Sequence, residues 1–429
     1  MVENNMVRLL LLLMIVLNSE SISAGKDSSP YIISTKKIYT GKPYASFTSL
    51  INYKGRFYCA FREAKKHYDP SGEDVGIIRI LHSKNGKRWQ PFLSYSVDGI
   101  DLRDPKLTVT PEGKVMLLVE EVKYENKVAV LRKSCVSFFS SNKSHTELVP
   151  ISFKPNMDWN WLWDVSWIDG IAYGYIYAPY FAFVKSSDGI NYKLVDKPAI
   201  DNSPTEASVV KLKDKFFSVV RRKQNAYVGI SNDGDQWQWK DGGIRIGCPK
   251  LFTYKDNVYT VGRAYNGKMN CTALFKVDQT SGKLVMLLEL SSDMDSAYPG
   301  AVVKDGILYI SYYQGDLMKS SIYFSQVVNP NQEFSIVGGL RSHGEHIRIL
   351  ILGAFGFIGT NILKFIDDYL SGQYEVVVFD RTNKHPKGVK INSISKVYTG
   401  DITSTLDIEN IFRNEAEFDV VLHLVTTTV

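Results

Sequence analysis

Three hydrophobic patterns follow one another along the chain. The first is an unbroken apolar run, LLLLLMIVL at residues 9–17, behind Arg8 and ahead of small residues ending near Ala24. Its nine residues fall well short of the ~20 that span a bilayer. A basic residue, a short apolar stretch and a small-residue cleavage region define a secretory signal. Residues 1–24 are therefore read as one, in preference to a buried N-terminal strand or helix. After cleavage no stable membrane span is expected, and the mature protein would be secreted or periplasmic.

The second pattern fills residues 30–330, where short alternating apolar runs are broken by Gly, Asp and Asn. No helical periodicity persists, which predicts strands and tight turns. One unit recurs six times: an apolar strand, a polar turn and an aromatic-rich strand. The copies are SLINYKGRFYCAF (49–61), KLTVTPEGKVMLL (106–118), VSWIDGIAYGYIY (165–177), SVVKLKDKFFSVV (208–220), KLFTYKDNVYTVG (250–262) and AVVKDGILYISYY (301–313). Their turns fall near residues 55, 113, 170, 214, 256 and 306, at gaps of 58, 57, 44, 42 and 50. Strand-only repeats of ~40–60 residues imply propeller blades. The expectation is an all-β six-bladed β-propeller over residues 30–335; a β-sandwich would give no reason for so regular a spacing.

The third pattern starts at residue 347. IRILILGAFGFIG is an apolar strand running into a Gly-rich turn that opens an apolar helix, the βαβ start of nucleotide-binding folds. With 336–346 as a linker, residues 347–429 are predicted to form a partial α/β Rossmann-like domain.

Composition narrows the function classes. At 429 residues the chain exceeds the ~250–300 over which one core grows, which agrees with two domains. A hydrophobic content of 44% excludes a disordered chain, and 25 Tyr and 21 Phe suit a strand-rich fold. The net charge of +6, from 51 basic and 45 acidic residues, is too mild to predict a nucleic-acid partner. Cys59, Cys135, Cys248 and Cys271 are too sparse for a disulfide scaffold and lack metal-ligand spacing, so no metal is expected.

In a propeller the innermost strands surround one axial funnel, and a site is assembled from equivalent positions of different blades. Just before the six hairpins stand Ser46 or Phe47, Asp104, Asp164, Glu206, Cys248 and Tyr298. Just after them stand Arg62, Glu120, Tyr177, Arg221 with Arg222, Arg263 and Tyr313. Carboxylates, Arg and Tyr thus converge where an ordinary core would be apolar, a costly arrangement without a ligand or partners. The cluster Trp159, Trp161, Trp163 and Trp167 either stacks on sugar rings or packs between blades.

A shorter repeat carries a family resemblance. SKNGKRW (83–89), SSDGINY (186–192) and SNDGDQW (231–237) share Ser, then Asp or Asn, Gly and a terminal aromatic. The Asp or Asn side chain bonds turn backbone, Gly takes positive φ and the aromatic packs beneath. These turns resemble the Asp-boxes of the sialidase (neuraminidase) superfamily, whose role there is structural. TEASVVKLKDKFFSVVRR (205–222) resembles the family segment in which a Glu precedes a carboxylate-binding Arg by one hairpin. SAYPGAVVKDGILYISYY (296–313) resembles the segment with the nucleophilic Tyr, and AFREAKKHYDPSGEDVGIIRILHS (60–83) the blade with the acid/base loop.

The resemblance implies an exported retaining glycoside hydrolase that needs no cofactor and cleaves a terminal glycan residue. Tyr298 would be the nucleophile, Glu206 its base and Asp74 the acid/base, with Arg221 or Arg222 as a carboxylate clamp. Tyr has an ordinary pKa of ~10, so an adjacent carboxylate must take its proton. A neutral nucleophile avoids repulsion against an anionic sugar, and sialidases are the Tyr exception among glycosidases. The chain departs from the family before the first hairpin, where PYASFTSL (43–50) carries no Arg. Arg62 or Arg103 would stand in, and Arg263 or Lys268 would supply the third Arg position. Asp104 either caps a turn before Pro105 or lines the funnel. A different acidic or neutral glycan is the alternative substrate, and a non-catalytic glycan-binding propeller the alternative function.

In the C-terminal segment Gly353, Gly356 and Gly359 have the spacing G-x-x-G-x-x-G, followed by NILKFIDDYL and the strand YEVVVFD. The glycines permit a tight turn, close approach of backbone to pyrophosphate and close helix packing. Asp380, 21 residues after Gly359, stands where an acidic residue meets the adenosine ribose. This segment resembles the extended short-chain dehydrogenases, among them nucleotide-sugar epimerases and dehydratases. The resemblance implies NAD(P) as cofactor, Asp401 of GDIT on its adenine side, and DVVLHLVTTT (419–428) as the fourth strand. The family's Tyr-x-x-x-Lys pair is not reached before Val429, so the segment is read as nucleotide-binding without catalysis and suited to the cytoplasm.

Overall fold

The computed structural model describes residues 30–41, 43–265, 267–316, 318–328, 347–369, 374–382, 391–392, 394–415, 418 and 420–425. The signal at 1–24 and the linker at 336–346 lie outside the described residues. The chain divides into two units, Met1–Phe334 and Ser335–Val429.

In the first unit, β1 (Tyr31–Tyr39) precedes an antiparallel set, β2 (Tyr44–Tyr53), β3 (Arg56–Ala64), β4 (Ile77–Ser83) and β5 (Gln90–Tyr95). Next come β6 (Asp101–Val109), β7 (Val115–Glu125), β8 (Val128–Phe139) and β9 (Val149–Pro150). The third sheet is β11 (Leu162–Ile168), β12 (Ile171–Ile176), β13 (Ala182–Ser186) and β14 (Asn191–Asp196), with β10 (Ser152–Lys154) added beyond β14. The fourth is β15 (Ala207–Leu212), β16 (Lys215–Val220), β17 (Tyr227–Ser231) and β18 (Gln238–Asp241). The fifth is β19 (Gly247–Tyr254), β20 (Asn257–Tyr265), β21 (Asn270–Val277) and β22 (Leu284–Asp293). The chain ends the unit with β23 (Asp295–Lys304), β24 (Ile307–Gly315) and β25 (Ser320–Val328).

The outer neighbour of β25 is β1, paired antiparallel from Tyr31↔Val328 to Tyr39↔Ile322. The start of the unit thus completes its last sheet. A single parallel pairing, Tyr44↔Ser320, joins β25 to β2 and makes one eight-stranded sheet of the two sets. The leading strands β2, β6, β11, β15, β19 and β23 pack side by side in that order, and β23 packs back on β2. The unit is an all-β, propeller-like ring.

Each recurrent sequence unit forms a hairpin. At Lys54-Gly55, Asp169-Gly170 and Asp305-Gly306 both turn residues have positive φ (48° and 76°, 51° and 79°, 50° and 73°). This is the type I′ turn, whose twist matches that of the flanking strands. Apolar faces fill the space between sheets, with Tyr58, Ile80, Leu117 and Phe139 in one cluster and Val136, Leu162 and Val184 in the next. The Ser-Gly turns after β4, β13 and β17 are closed by Ser83, Ser186 and Ser231, whose Oγ atoms each accept a glycine N–H at 2.9 Å. The indoles of Trp89 and Trp237 donate to the same glycines' carbonyls at 3.1 Å.

The second unit is a parallel sheet in the order β28-β27-β26-β29. Its chain order is β26 (Ile347–Leu352), the helix Phe357–Tyr369, β27 (Tyr374–Asp380), β28 (Ile394–Thr399), the helix Thr405–Asn414 and β29 (Val420–His423). Ser404 caps the second helix by accepting from the Asp407 N–H. Leu350, Val377, Phe379 and Ile411 form its buried core. No described helix is long and apolar enough to cross a membrane.

Close packing of the inner strands sets one test. A Cβ on Gly300 of β23 would lie 2.1 Å from the Leu50 backbone nitrogen of β2, and backbone cannot swing aside as a side chain can. Gly300→Ala is expected to destabilise the first unit by ~1–3 kcal/mol, the range of overpacked cores, read as a lowered melting temperature by circular dichroism.

Candidate functional site

Five inner strands break register with their hairpin partner at the same place. One extra residue enters between Ser46 and Ser49, Arg103 and Lys106, Leu162 and Val165, Gly247 and Lys250, and Ala297 and Gly300. Four of these bulges hold a non-glycine residue in left-handed backbone: Phe47 (φ 60°), Asp104 (47°), Cys248 (44°) and Tyr298 (47°). Pro follows three of them, at 105, 249 and 299, and a residue without an N–H suits a bulge. Strained backbone of this kind costs ~1–3 kcal/mol per residue and concentrates at functional sites. Glu206 arrives differently, just ahead of β15, whose ladder is regular.

These positions meet. Tyr298 Oη donates to Glu206 Oε1 at 2.8 Å. Arg221 Nη1 donates to the same oxygen at 2.6 Å, and the Cys248 N–H to Glu206 Oε2 at 2.6 Å. Cys248 Sγ accepts the Tyr298 N–H at 3.2 Å, which locks two bulges together. Burial pushes the Glu206 pKa up, but the Arg221 charge and the Arg221, Tyr298 and Cys248 donors outweigh it and bring it below the ordinary value. Burial, reinforced by the charges of Glu206 and Asp104, holds the Tyr298 phenol well above its ordinary value. At rest the pair is a carboxylate facing a neutral phenol.

Arg263 flanks Tyr298 on another side, its guanidinium 5.4 Å from the ring centroid. It donates to Asp295 Oδ1 at 2.9 Å, Tyr313 Oη at 2.8 Å and the Ser296 carbonyl at 2.7 Å. Asp295 also accepts from Tyr313 at 2.7 Å and from Tyr44, with His67 Nδ1 3.3 Å away. Burial opposes its charge, but His67, Arg263, Tyr44 and Tyr313 hold its pKa down at about 2. Lys106 Nζ lies 4.1 Å from the Trp163 ring centroid and 5.6 Å from that of Tyr298. Phe47 packs 4.7 Å from the Tyr298 ring, with the Arg103 guanidinium 5.1 Å from the Phe47 ring centroid. Asp104 is 5% exposed, and its Oδ1 is buried without a hydrogen bond. Burial and the Glu206 charge raise its pKa against the pull of Arg103 and Lys106.

Tyr298, Glu206, Arg221 and Arg263 are thus brought together, and Asp104 lies in the field of Glu206 and Tyr298. Three other expected residues are engaged elsewhere. Arg62 is wholly buried; its Nε donates to Asp101 Oδ1 at 2.8 Å and its Nη1 to the Lys66 carbonyl at 3.0 Å. Its Nη2 lies 2.8 Å from the same Asp101 oxygen, so the side chain fastens the segment after β3 to β6 and presents nothing to a ligand. Arg222 pairs with Asp201 and, at 3.6 Å, with Asp241, and covers the Tyr227 ring at 3.4 Å. Of the two neighbouring arginines only Arg221 reaches Glu206. Asp74 accepts the Lys65 N–H at 2.8 Å and the Lys66 N–H at 2.8 Å, capping the loop after β3.

The sequence reasoning passed over Lys106, Lys250 and Asp295. The signal was present: Lys stands two residues after the bulge in Asp104-Pro-Lys and Cys248-Pro-Lys, and Asp295 three before Tyr298. Lys250 pairs with Asp164 at 3.0 Å. Of the tryptophans, Trp163 faces the Tyr298 ring edge-on at 5.3 Å, whereas Trp159 is exposed. Among the described residues no cluster of three His, Cys, Asp or Glu could hold a metal ion.

In the second unit Gly353 adopts φ 82°, and a Cβ on Gly359 would meet the Ala354 carbonyl at 2.4 Å. Among the described residues nothing but the Gly353 carbonyl, at 3.4 Å, approaches a Cβ on Gly356, leaving an open cradle. Asp380 accepts the Phe355 N–H at 2.8 Å and the Arg381 N–H at 2.7 Å, which fixes the turn to the end of β27. Asp401 accepts the Thr403 N–H at 2.9 Å. An open glycine turn ahead of a helix, beside an acidic strand end, fits a dinucleotide.

Residues 349–428 match the NAD dependent epimerase/dehydratase family. No curated protein matches the chain. In fold, the first unit is similar to a protein of unknown function from Dyadobacter fermentans DSM 18053, with TM-score 0.59 and 18% identity, over 70% of this chain and 99% of that one. It is also similar to the sialidase of Trypanosoma rangeli bound to the inhibitor DANA, with TM-score 0.53 and 13% identity. That match covers 66% of this chain and 55% of the sialidase. A second structure of that sialidase, a covalent intermediate with 2,3-difluorosialic acid, gives TM-score 0.52 and 13% identity over 71% of this chain and 60% of that one. These neighbours support the propeller-like fold.

The Arg62 geometry gives a test that separates scaffold from site. Arg62→Met removes one partner of a buried pair, and such losses cost ~3–5 kcal/mol. Arg103 and the Gly76 N–H still reach Asp101, so the lower end is expected. Chemical denaturation reads the loss, while the Tyr298–Glu206 pair is left in place.

Proposed function

We propose that the first unit is an exported, retaining, sialidase-like glycoside hydrolase acting on a terminal glycan residue. The observation that carries this reading is the 2.8 Å bond from Tyr298 Oη to Glu206 at the meeting point of the inner strands. Counting β1 with β23–β25 as one blade and β2–β5 as another makes the ring six-bladed, in keeping with six hairpin units in the sequence. Tyr298 Oη attacks the anomeric carbon while Glu206 Oε1 accepts the phenolic proton. The glycosidic bond breaks, leaving a glycosyl-tyrosine that water then hydrolyses. Arg221 keeps Glu206 ionised before attack, so that a proton acceptor is ready at neutral pH. Arg221 and Arg263 supply cationic groups for an acidic substituent on the sugar. With Phe47 in the stretch where the resemblance places the first arginine, the clamp has two arginines and one apolar wall.

A separate reading applies to the second unit, favoured by the family match at 349–428. The Gly353–Gly359 turn would hold the pyrophosphate of NAD(P), Asp380 the ribose hydroxyls, and Asp401 would lie on the adenine side. When bound, that cofactor supplies hydride chemistry.

Two experiments test these readings. The full chain is assayed on a panel of 4-nitrophenyl glycosides that includes a sialoside. Tyr298→Phe is expected to abolish turnover, and Glu206→Gln to lower kcat/KM by ~10²–10⁴-fold, as for loss of a general base. A fluorinated glycoside should add its sugar mass to the peptide containing Tyr298. Glycan binding without turnover of any glycoside would replace the hydrolase by a binding propeller. For the second unit, calorimetry should show NAD⁺ binding that Asp380→Ala weakens about tenfold or more, as a lost charge-assisted hydrogen bond requires.

A further inference from the structure

We propose that Asp104, on the bulge of β6, is the proton donor to the leaving oxygen, and that Asp74 is a positioning residue for the loop after β3. This rests on the hydrolase reading above.

The carboxyl groups around the ring centre are not equivalent. Glu206 is committed to Tyr298, Arg221 and the Cys248 N–H. Asp164 accepts from Ser208 at 2.9 Å and lies 3.0 Å from Lys250 Nζ. Asp295 is held by Arg263, Tyr313 and Tyr44. Glu120 is wholly buried and accepts the Ser134 hydroxyl at 2.9 Å. Asp74 has both oxygens on the Lys65 N–H, one of them shared with Lys66. Asp104 differs from all of these. One of its oxygens is sealed from water and, among the described residues, bonded to nothing, although the backbone is strained to hold the side chain there. A buried carboxylate oxygen without a donor is costly, and a protonated carboxyl at the same place is far less so. The other carboxyl oxygen is not among the sealed atoms, and a sugar oxygen is the partner it would meet.

The surroundings set the direction of its titration. Arg103 and Lys106 from its own strand and His67 from the segment after β3 favour the charged form. Glu206 ahead of β15, Glu120 on β7, and the tyrosines Tyr177 after β12 and Tyr298 on β23 lie in the same field. Burial is the largest influence and lifts Asp104 above the ordinary aspartate value, whereas Glu206 is pulled below its own. Two carboxyls pushed in opposite directions are the mark of an acid and a base at one pH.

The steps balance. As Tyr298 Oη bonds to the anomeric carbon, its proton goes to Glu206. The glycosidic electron pair leaves with the aglycone oxygen, which takes the Asp104 proton and departs as an alcohol. In the second half water attacks the anomeric carbon and gives its proton to Asp104. The tyrosyl oxygen leaves with its bonding pair and recovers its proton from Glu206.

The test uses the full chain and the 4-nitrophenyl glycoside that the wild-type protein turns over best, beside the matching methyl glycoside. A nitrophenolate leaves without a proton and a methoxide does not. Asp104→Asn is expected to lower kcat/KM on the methyl glycoside by ~10²–10⁴-fold and on the nitrophenyl glycoside by less than about tenfold. The fall of wild-type kcat/KM on the alkaline side should vanish in that variant. Asp104→Ala, with azide restoring nitrophenyl turnover, keeps the result readable if the amide variant does not fold. Asp74→Asn should lower the melting temperature and leave the ratio between the two substrates unchanged. Equal losses on both substrates for Asp104→Asn, or a substrate-dependent loss for Asp74→Asn, overturn this inference alone. No wild-type turnover of any glycoside overturns it together with the hydrolase reading.

Discussion

The structure depends on one repeated backbone event, the extra residue near the start of an inner strand. A regular ladder would alternate side chains between the faces that pack against neighbouring sheets. The added residue breaks that alternation and forces left-handed backbone at Phe47, Asp104, Cys248 and Tyr298. Such backbone is tolerated only where the surroundings over-determine it. Here the surroundings are the other bulges: Cys248 accepts from the Tyr298 N–H, and Phe47 packs on the Tyr298 ring. Three of the four strained residues are held to one another, so Phe47, Cys248 and Tyr298 come as a set. The ring supplies the closure this needs, since β1 completes the last sheet and β23 returns to β2.

Charge follows from that placement. Side chains drawn to a crowded centre lose water, and ions there persist only when paired. Asp295, Asp164 and Asp101 each have a cation within hydrogen-bond distance. Glu206 has Arg221 and also the phenol of Tyr298. Asp104 has Arg103 and Lys106 in its field, yet no donor on its buried oxygen. The centre thus holds paired ions that build it and, among the described residues, carboxyls without an ion pair, Glu120 on the Ser134 hydroxyl and Asp104, and of these Asp104 stands on the same kind of bulge as Tyr298.

Much of this was legible in the sequence because hairpins advertise themselves. Lys54-Gly55 and Asp305-Gly306 need positive φ, and alternating apolar residues on either side set the register. The order Glu206, Arg221, Tyr298 was readable for the same reason: the residues occupy corresponding ends of repeated hairpins. The neighbours Arg221 and Arg222 could not be separated by pattern, because a strand end leaves the alternation before the side chains are fixed. Asp201 and Asp241, from a loop and an outer strand, decide that Arg222 turns away. Arg62 likewise looked available until Asp101, 39 residues on, was seen to bury it. Asp74 sits in a polar loop whose only visible feature is polarity, and its partners are the backbone N–H groups of Lys65 and Lys66. Partners supplied by backbone or by distant strands leave no mark in composition or spacing.

The pairing of Glu206 with Arg221 also has a consequence for how an anionic sugar would be treated. In the resting protein Arg221 spends its charge on Glu206 at 2.6 Å, and Arg263 spends its own on Asp295 at 2.9 Å. A carboxylate arriving in the ground state meets guanidiniums already neutralised. If Glu206 takes the phenolic proton as proposed, it becomes neutral, and the Arg221 charge would be released to whatever anion lies beside it. Binding that strengthens only as the reaction proceeds accelerates the chemical step, whereas equal binding of both states does not. Arg263 would have no such release, because the proposed reaction brings no proton to Asp295. On this reading both arginines would face the acidic group, Arg263 with its charge shared throughout with Asp295, and Arg221 alone would couple proton transfer from Tyr298 to its recognition.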